Sequence, residues 1–186
     1  MNKVIPHGWE EMIATYGDPR DHSNWARVSS EWYQKNIIVM DLPYPMRLSW
    51  ETHSKVNKIS CHRLVADDLK AIFTKIAATA RVHVKQRDGY DLSSQYYDDA
   101  TLRLLTSLNV DLYGGCFHYR LKRGLNQVSV HSFGAAIDLD PEHNGLGDTT
   151  PAMPMWVVDI FEEAGWRWGG RWTRCDGMHF QRATGY

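Results

Sequence analysis

The sequence predicts an α+β fold, a small antiparallel sheet with flanking helices, from three observations. Strong helical periodicity is concentrated before residue 109, strand-like aromatic segments follow it, and one later helical stretch is bracketed by Pro151 and Gly165. Helices first and strands after them argue against an alternating, parallel arrangement. At 186 residues the chain suits one domain, 1–186, with a core that needs no staples.

Taken in order, residues 1–42 read as an irregular wrap, interrupted by turn signals at Gly17-Asp18-Pro19 and Asp41-Leu42-Pro43. Within it, Trp32 to Met40 has the composition of a short strand. Residues 43–182 are expected to form the core of the domain. From Ser60, read as an N-cap, Leu64, Val65, Leu69, Ile72, Phe73 and Ile76 recur at helical spacing. A second helix is expected from Tyr97 to Leu108. Leu112 to Tyr119 and Ala135 to Leu139 read as strands joined by the basic loop Arg120 to Gln127. Pro151 to Ala164 reads as a helix, and Trp166 to Arg182 as a strand pair closing the sheet.

Charge excludes little but points away from polyanions: 21 basic and 22 acidic residues leave a net charge of −1. Neither nucleic acid nor a membrane surface is an expected partner. Cys61, Cys116 and Cys175 form no C-x-x-C pair, so no disulfide framework or cysteine metal ribbon is expected. No secretion signal is read at Met1 to Trp9, and no segment approaches the length of a membrane span.

The chemistry concentrates in Ser129-Val130-His131-Ser132-Phe133-Gly134-Ala135-Ala136-Ile137-Asp138 and in Asp176-Gly177-Met178-His179-Phe180. Hydrolytic zinc sites take three nitrogen or oxygen ligands and leave a position for water, so His131, Asp138 and His179 are a sufficient set. Gly134 and its small neighbours allow the tight bend that would bring His131 and Asp138 together. Asp176, three residues before His179, is the expected general base toward a water whose pKa zinc lowers from about 16 toward 7. Each residue alone has a plainer reading: a hydrogen-bonded structural histidine, a capping aspartate, an Asp-Gly turn. His118 and His143 are the rival imidazoles, left outside the set.

The pattern S-x-H-x-x-G-x-A-x-D with a downstream D-x-x-H-F resembles the M15 zinc peptidases, which include D-alanyl-D-alanine carboxypeptidases and L-alanyl-D-glutamate endopeptidases. The run Phe161 to Trp172 is similar to the subgroup containing phage endolysins. The likeness covers about Gly115 to Arg182 closely and Pro43 to Ile76 loosely. It implies a hedgehog/DD-peptidase-like fold, Zn2+ on His131, Asp138 and His179, Asp176 as catalytic acid/base, and peptidoglycan stem peptides as substrate. Arg120 stands where relatives place an arginine that could bind a substrate carboxylate. Trp168 and Trp172, flanking Gly169-Gly170, are candidates for an aromatic wall beside the metal. Where many relatives carry glutamate after the final His-Phe, this chain has Gln181. The implied protein is a monomeric lysis enzyme, held in the cytoplasm until another protein admits it to the wall.

A competing reading is a zinc-stabilised wall-binding module without catalysis; Asp176 discriminates, because a purely structural metal needs no unligated carboxylate beside it. A nucleobase deaminase would require a zinc-binding C-x-x-C pair, and helical metalloproteases an H-E-x-x-H, neither of which is present.

Overall fold

The computed structural model describes residues 5–122 and 127–185, and combines five α-helices with a six-stranded sheet. Two short helices, α1 (Gly8–Tyr16) and α2 (Ser30–Asn36), precede a pair of long strands, β1 (Ile37–Leu48) and β2 (Glu51–His62). Next come α3 (Ala66–Asp88), α4 (Ser94–Ser107), β3 (Leu112–Gly115) and β4 (Ala136–Leu139). The chain ends with α5 (Met155–Glu163), β5 (Arg167–Trp168) and β6 (His179–Gln181). Strand order is β2-β1-β3-β4-β6-β5. Among the strand pairs of the described residues, the β1–β3 contact, at Arg47–Leu112 and Leu48–Tyr113, is parallel and the others are antiparallel.

Several boundaries differ from the sequence expectation. The segment read as an irregular wrap contains α1 and α2, each anchored by buried side chains, Met12 and Tyr16 from the first and Trp32 from the second. Trp32 is therefore helical, and the strand begins only at Ile37. Ser60 pairs with Val39 inside β2 instead of capping α3, whose N-cap is Val65. Between Asp41 and Met46 the β1–β2 ladder loses register, where Pro43 and Pro45 have no N–H to donate. Strand β3 ends at Gly115 because Cys116 turns its carbonyl toward His131. Arg123 to Asn126 of the expected basic loop lie outside the described residues.

Sheet alternation sorts the core from the chemistry. In the β4–β6 pair, Ile137 opposes Phe180 and Asp138 opposes His179, and successive side chains point to opposite faces. Phe180 stacks on Phe161 of α5 with centroids 4.1 Å apart, and Phe161 meets Phe73 of α3 edge-on at 6.2 Å. That face is the hydrophobic core, to which α3 contributes Leu69, Ile72, Phe73 and Ile76, all buried. Asp138 and His179 thus project from the other face.

Candidate metal centre

His131 sits in a single 3-10 turn, Val130–Phe133, opened by Ser129, whose Oγ accepts the His131 backbone N–H at 3.4 Å. The turn closes at Gly134, with φ of 65°, and a Cβ there would lie 2.7 Å from the backbone nitrogen of His62. No side chain fits that position in this backbone conformation. The chain then enters β4, where Asp138 arrives as the Cα partner of His179.

The three side chains converge. His179 Nδ1 lies 2.9 Å from Asp138 Oδ1, His131 Nε2 3.2 Å from the same oxygen, and the two ring nitrogens 3.1 Å apart. One potential ligand atom from each of His131, Asp138 and His179 falls within 4.8 Å of the others. Both imidazoles are held from behind. His131 Nδ1 is 2.8 Å from the Cys116 carbonyl oxygen, and His179 Nε2 is 3.0 Å from Gln181 Oε1. Gln181 is oriented in turn, because its Nε2 donates to the Ala183 carbonyl at 3.1 Å. Carbonyl acceptors behind each ring make the rear nitrogens N–H donors, so the lone pairs face inward with the carboxylate. This donor set fits a divalent metal of the zinc type.

Burial works against charge on Asp138, but the two imidazoles outweigh it and hold the carboxyl well below the usual range. Burial likewise disfavours the His179 imidazolium, and the hydrogen bond and charge of Asp138 overcome it, raising the ring above its ordinary value.

Asp176 is placed by the backbone. Its N–H donates to the Gly169 carbonyl at 2.9 Å, it forms an antiparallel bridge with Leu146, and its own carbonyl accepts the His179 N–H at 3.1 Å. A Cβ on Gly169 would fall 2.5 Å from the Asp176 carbonyl oxygen, so the close approach depends on that glycine. Asp176 Oδ1 is buried without a hydrogen-bond partner among the described residues. Burial raises its pKa, as does the charge of Asp138, while His179, His131 and Arg120 pull it down; the net shift is upward.

A cleft of about 710 Å³ opens over this arrangement, lined by Asp138, Asp176, His179 and Gln181 together with Arg120 and Trp172. Trp172 stands 5.4 Å from the His179 ring, centroid to centroid, with the planes tilted by 51°. Trp168 is not among the lining residues: it is buried, with its indole N–H donating to Gly177 O at 2.7 Å. Arg120 is anchored through its backbone, whose N–H and carbonyl both engage Ser132 Oγ at 2.9 Å. Lys122 and Arg174 also line the cleft; Arg174 carries no sequence pattern that singles it out. His118 is exposed, and His143 is bound to Asp140 at 2.8 Å, so neither joins the ligand cluster.

Residues 123–182 match the model of an M15 peptidase family, described as D-alanyl-D-alanine carboxypeptidase. The matched segment contains His131, Asp138, Asp176 and His179, and so spans the whole cluster. No curated protein and no solved structure matches the chain.

Proposed function

We propose that the chain is a zinc-dependent peptidoglycan peptidase of the M15 type that hydrolyses a stem-peptide bond, as an L-alanyl-D-glutamate endopeptidase or a D-alanyl-D-alanine carboxypeptidase. The observation that carries the reading is the pairing of an inward-facing His131, Asp138 and His179 set with an unligated, partly buried Asp176 in one cleft. Zinc bound there supplies a Lewis acid that polarises the scissile carbonyl and acidifies water.

The protein's own groups divide the remaining work. Cys116 and Gln181 hold the two imidazoles in the tautomers that bind metal. Asp176, with its raised pKa, takes the proton from the attacking water through its carboxylate. As the C–N bond breaks, the same carboxyl returns that proton to the leaving amine nitrogen. Arg120, at the cleft wall, binds a substrate carboxylate or steadies the developing oxyanion. Trp172 forms the aromatic side of the cleft. The endolysin-like run Phe161 to Trp172 favours a phage or prophage lysis enzyme, acting as a monomer after release to the wall. No helix among the described residues is long and apolar enough to cross a membrane.

The deciding experiment is release of new amino termini from purified peptidoglycan, with a chelator, with zinc restored, and with Asp176→Asn. Cleavage abolished by chelator, restored by zinc, and reduced about 10²–10⁴-fold in a variant that still binds metal is the expected result. A metal-loaded protein that cleaves no wall type would instead identify a binding module.

A further inference from the structure

The metal cleft does not end at Trp172. A second cavity of about 280 Å³ lies on the far side, and Trp172 and Gln181 line both. Trp172 is 38% exposed, so its ring is a ridge between two open spaces and not a buried wall. Gln181 forms a fixed floor, with both ends of its amide bonded to His179 and Ala183.

The second cavity is built from β5, the 3-10 turn after it and the end of α5. Trp168 lines it but is largely buried, held by its bond to Gly177 and packed between Phe180 and the Arg171 guanidinium. Arg171 is pinned by Glu162 through two hydrogen bonds, at 2.8 and 2.9 Å, and Arg167 stands opposite Gln181 in the β5–β6 ladder. Arg171 alone is bonded to Glu162, with the charge of Asp159 also acting on it, while Arg167 is felt by Glu162 only as a nearby charge. On the metal side, Arg120, Lys122 and Arg174 face the two carboxylates Asp138 and Asp176. Among the residues that line the two spaces, basic side chains outnumber carboxylates on both sides of Trp172, in a chain whose net charge is −1.

We propose that the cavity beyond Trp172 is a substrate subsite that takes a carboxylate-bearing arm of an extended peptide, with Arg167 as its charge-reading residue. The proposal rests on the peptidase reading, because the other end of that peptide must lie at the metal cleft. A guanidinium on a rigid strand, beside an aromatic surface and a pinned second guanidinium, suits a carboxylate better than a neutral amide. The ridge at Trp172 would let the peptide cross between the two spaces while staying in contact with protein.

The test is a charge cycle read by binding. Metal-loaded Asp176→Asn protein, which holds the peptide without turning it over, is titrated with a synthetic L-Ala-D-Glu-containing tetrapeptide and with its fully amidated form, following tryptophan fluorescence. The acidic peptide is expected to bind more tightly, and Arg167→Gln is expected to remove about fivefold of that preference. Arg171→Gln, which frees Glu162, should erode the same preference. An unchanged ratio in Arg167→Gln, or an equal loss for both peptides, overturns the subsite. If the unsubstituted protein cleaves wall while the ratio is unchanged, the subsite alone is lost; if it neither binds either peptide nor cleaves wall, the peptidase reading falls with it.

Discussion

Asp138 and His179 are Cα partners across β4 and β6, and their side chains meet at 2.9 Å on the face opposite the Phe161–Phe180 stack. The ladder itself thus positions two of the three clustered side chains, and His131 depends on a turn. Replacing His179 or Asp138 by alanine is expected to remove bound metal with the strand pairing intact. Metal content by mass spectrometry and far-UV circular dichroism should separate the two effects. Chelation of the unsubstituted protein should lower its unfolding temperature, since a ligand at 100 times its Kd adds about 2.7 kcal/mol to the folded state.

Gln181 stands behind the His179 ring, on the side away from Asp138. Its Oε1 accepts from His179 Nε2 at 3.0 Å, while Nε2 of the amide is held by Ala183. Gln181→Leu removes the acceptor behind the ligand and should weaken metal affinity about 10–100-fold. Gln181→Glu keeps an acceptor and should retain the metal. Competition against a chromophoric chelator measures both; equal affinities for the two variants would mean that the hydrogen bond does not matter.

The convergence of His131, Asp138 and His179 was legible in the sequence because each lies in a short segment whose glycine and aspartate spacing reflects local geometry, as at Gly134 between His131 and Asp138. The helices α3 and α5 were legible for a different reason: each buries one face, and burial leaves periodicity. Strand β2 left no such trace. It is a sheet edge, largely exposed over Glu51 to Lys58, so Lys55 and Lys58 blunt the edge instead of alternating with apolar residues. The short helices α1 and α2 depend on tertiary anchors such as Met12 and Trp32, which propensity does not register. Arg174 and the second cavity arise from chain segments brought together only by folding.

Gly134 couples the metal turn to β2. Its carbonyl accepts the His62 N–H at 2.9 Å, and its φ of 65° places an added Cβ 2.7 Å from that same nitrogen. Gly134→Ala should therefore cost about 2 kcal/mol or more, from left-handed backbone strain plus the clash. Urea unfolding gives the stability change. Because His131 shares the turn, metal affinity should fall in parallel; a destabilised variant with unaltered metal binding would show the turn to be more compliant than its geometry implies.

His62 gives the fold a pH dependence of its own. The ring is fully buried, with Nε2 3.1 Å from the Tyr16 carbonyl oxygen and Nδ1 accepting the Leu64 N–H at 3.1 Å. Burial lowers its pKa from 6.5 to about 4, outweighing the Tyr16 carbonyl. Above pH 6.5 the ring is neutral in both folded and unfolded chains and contributes no slope. As pH falls from 6.5 toward 4, the unfolded chain takes up a proton that the folded one refuses, so stability declines, by about 3 kcal/mol over the whole interval. Below 4 both states are protonated and the loss stops growing. His62→Asn keeps an acceptor near Leu64 but has nothing to titrate there, so it should be less stable at neutral pH and show a shallower decline. Urea unfolding of both proteins at pH 7.5, 5.5 and 4.5 measures the difference in slope, in which contributions common to both cancel.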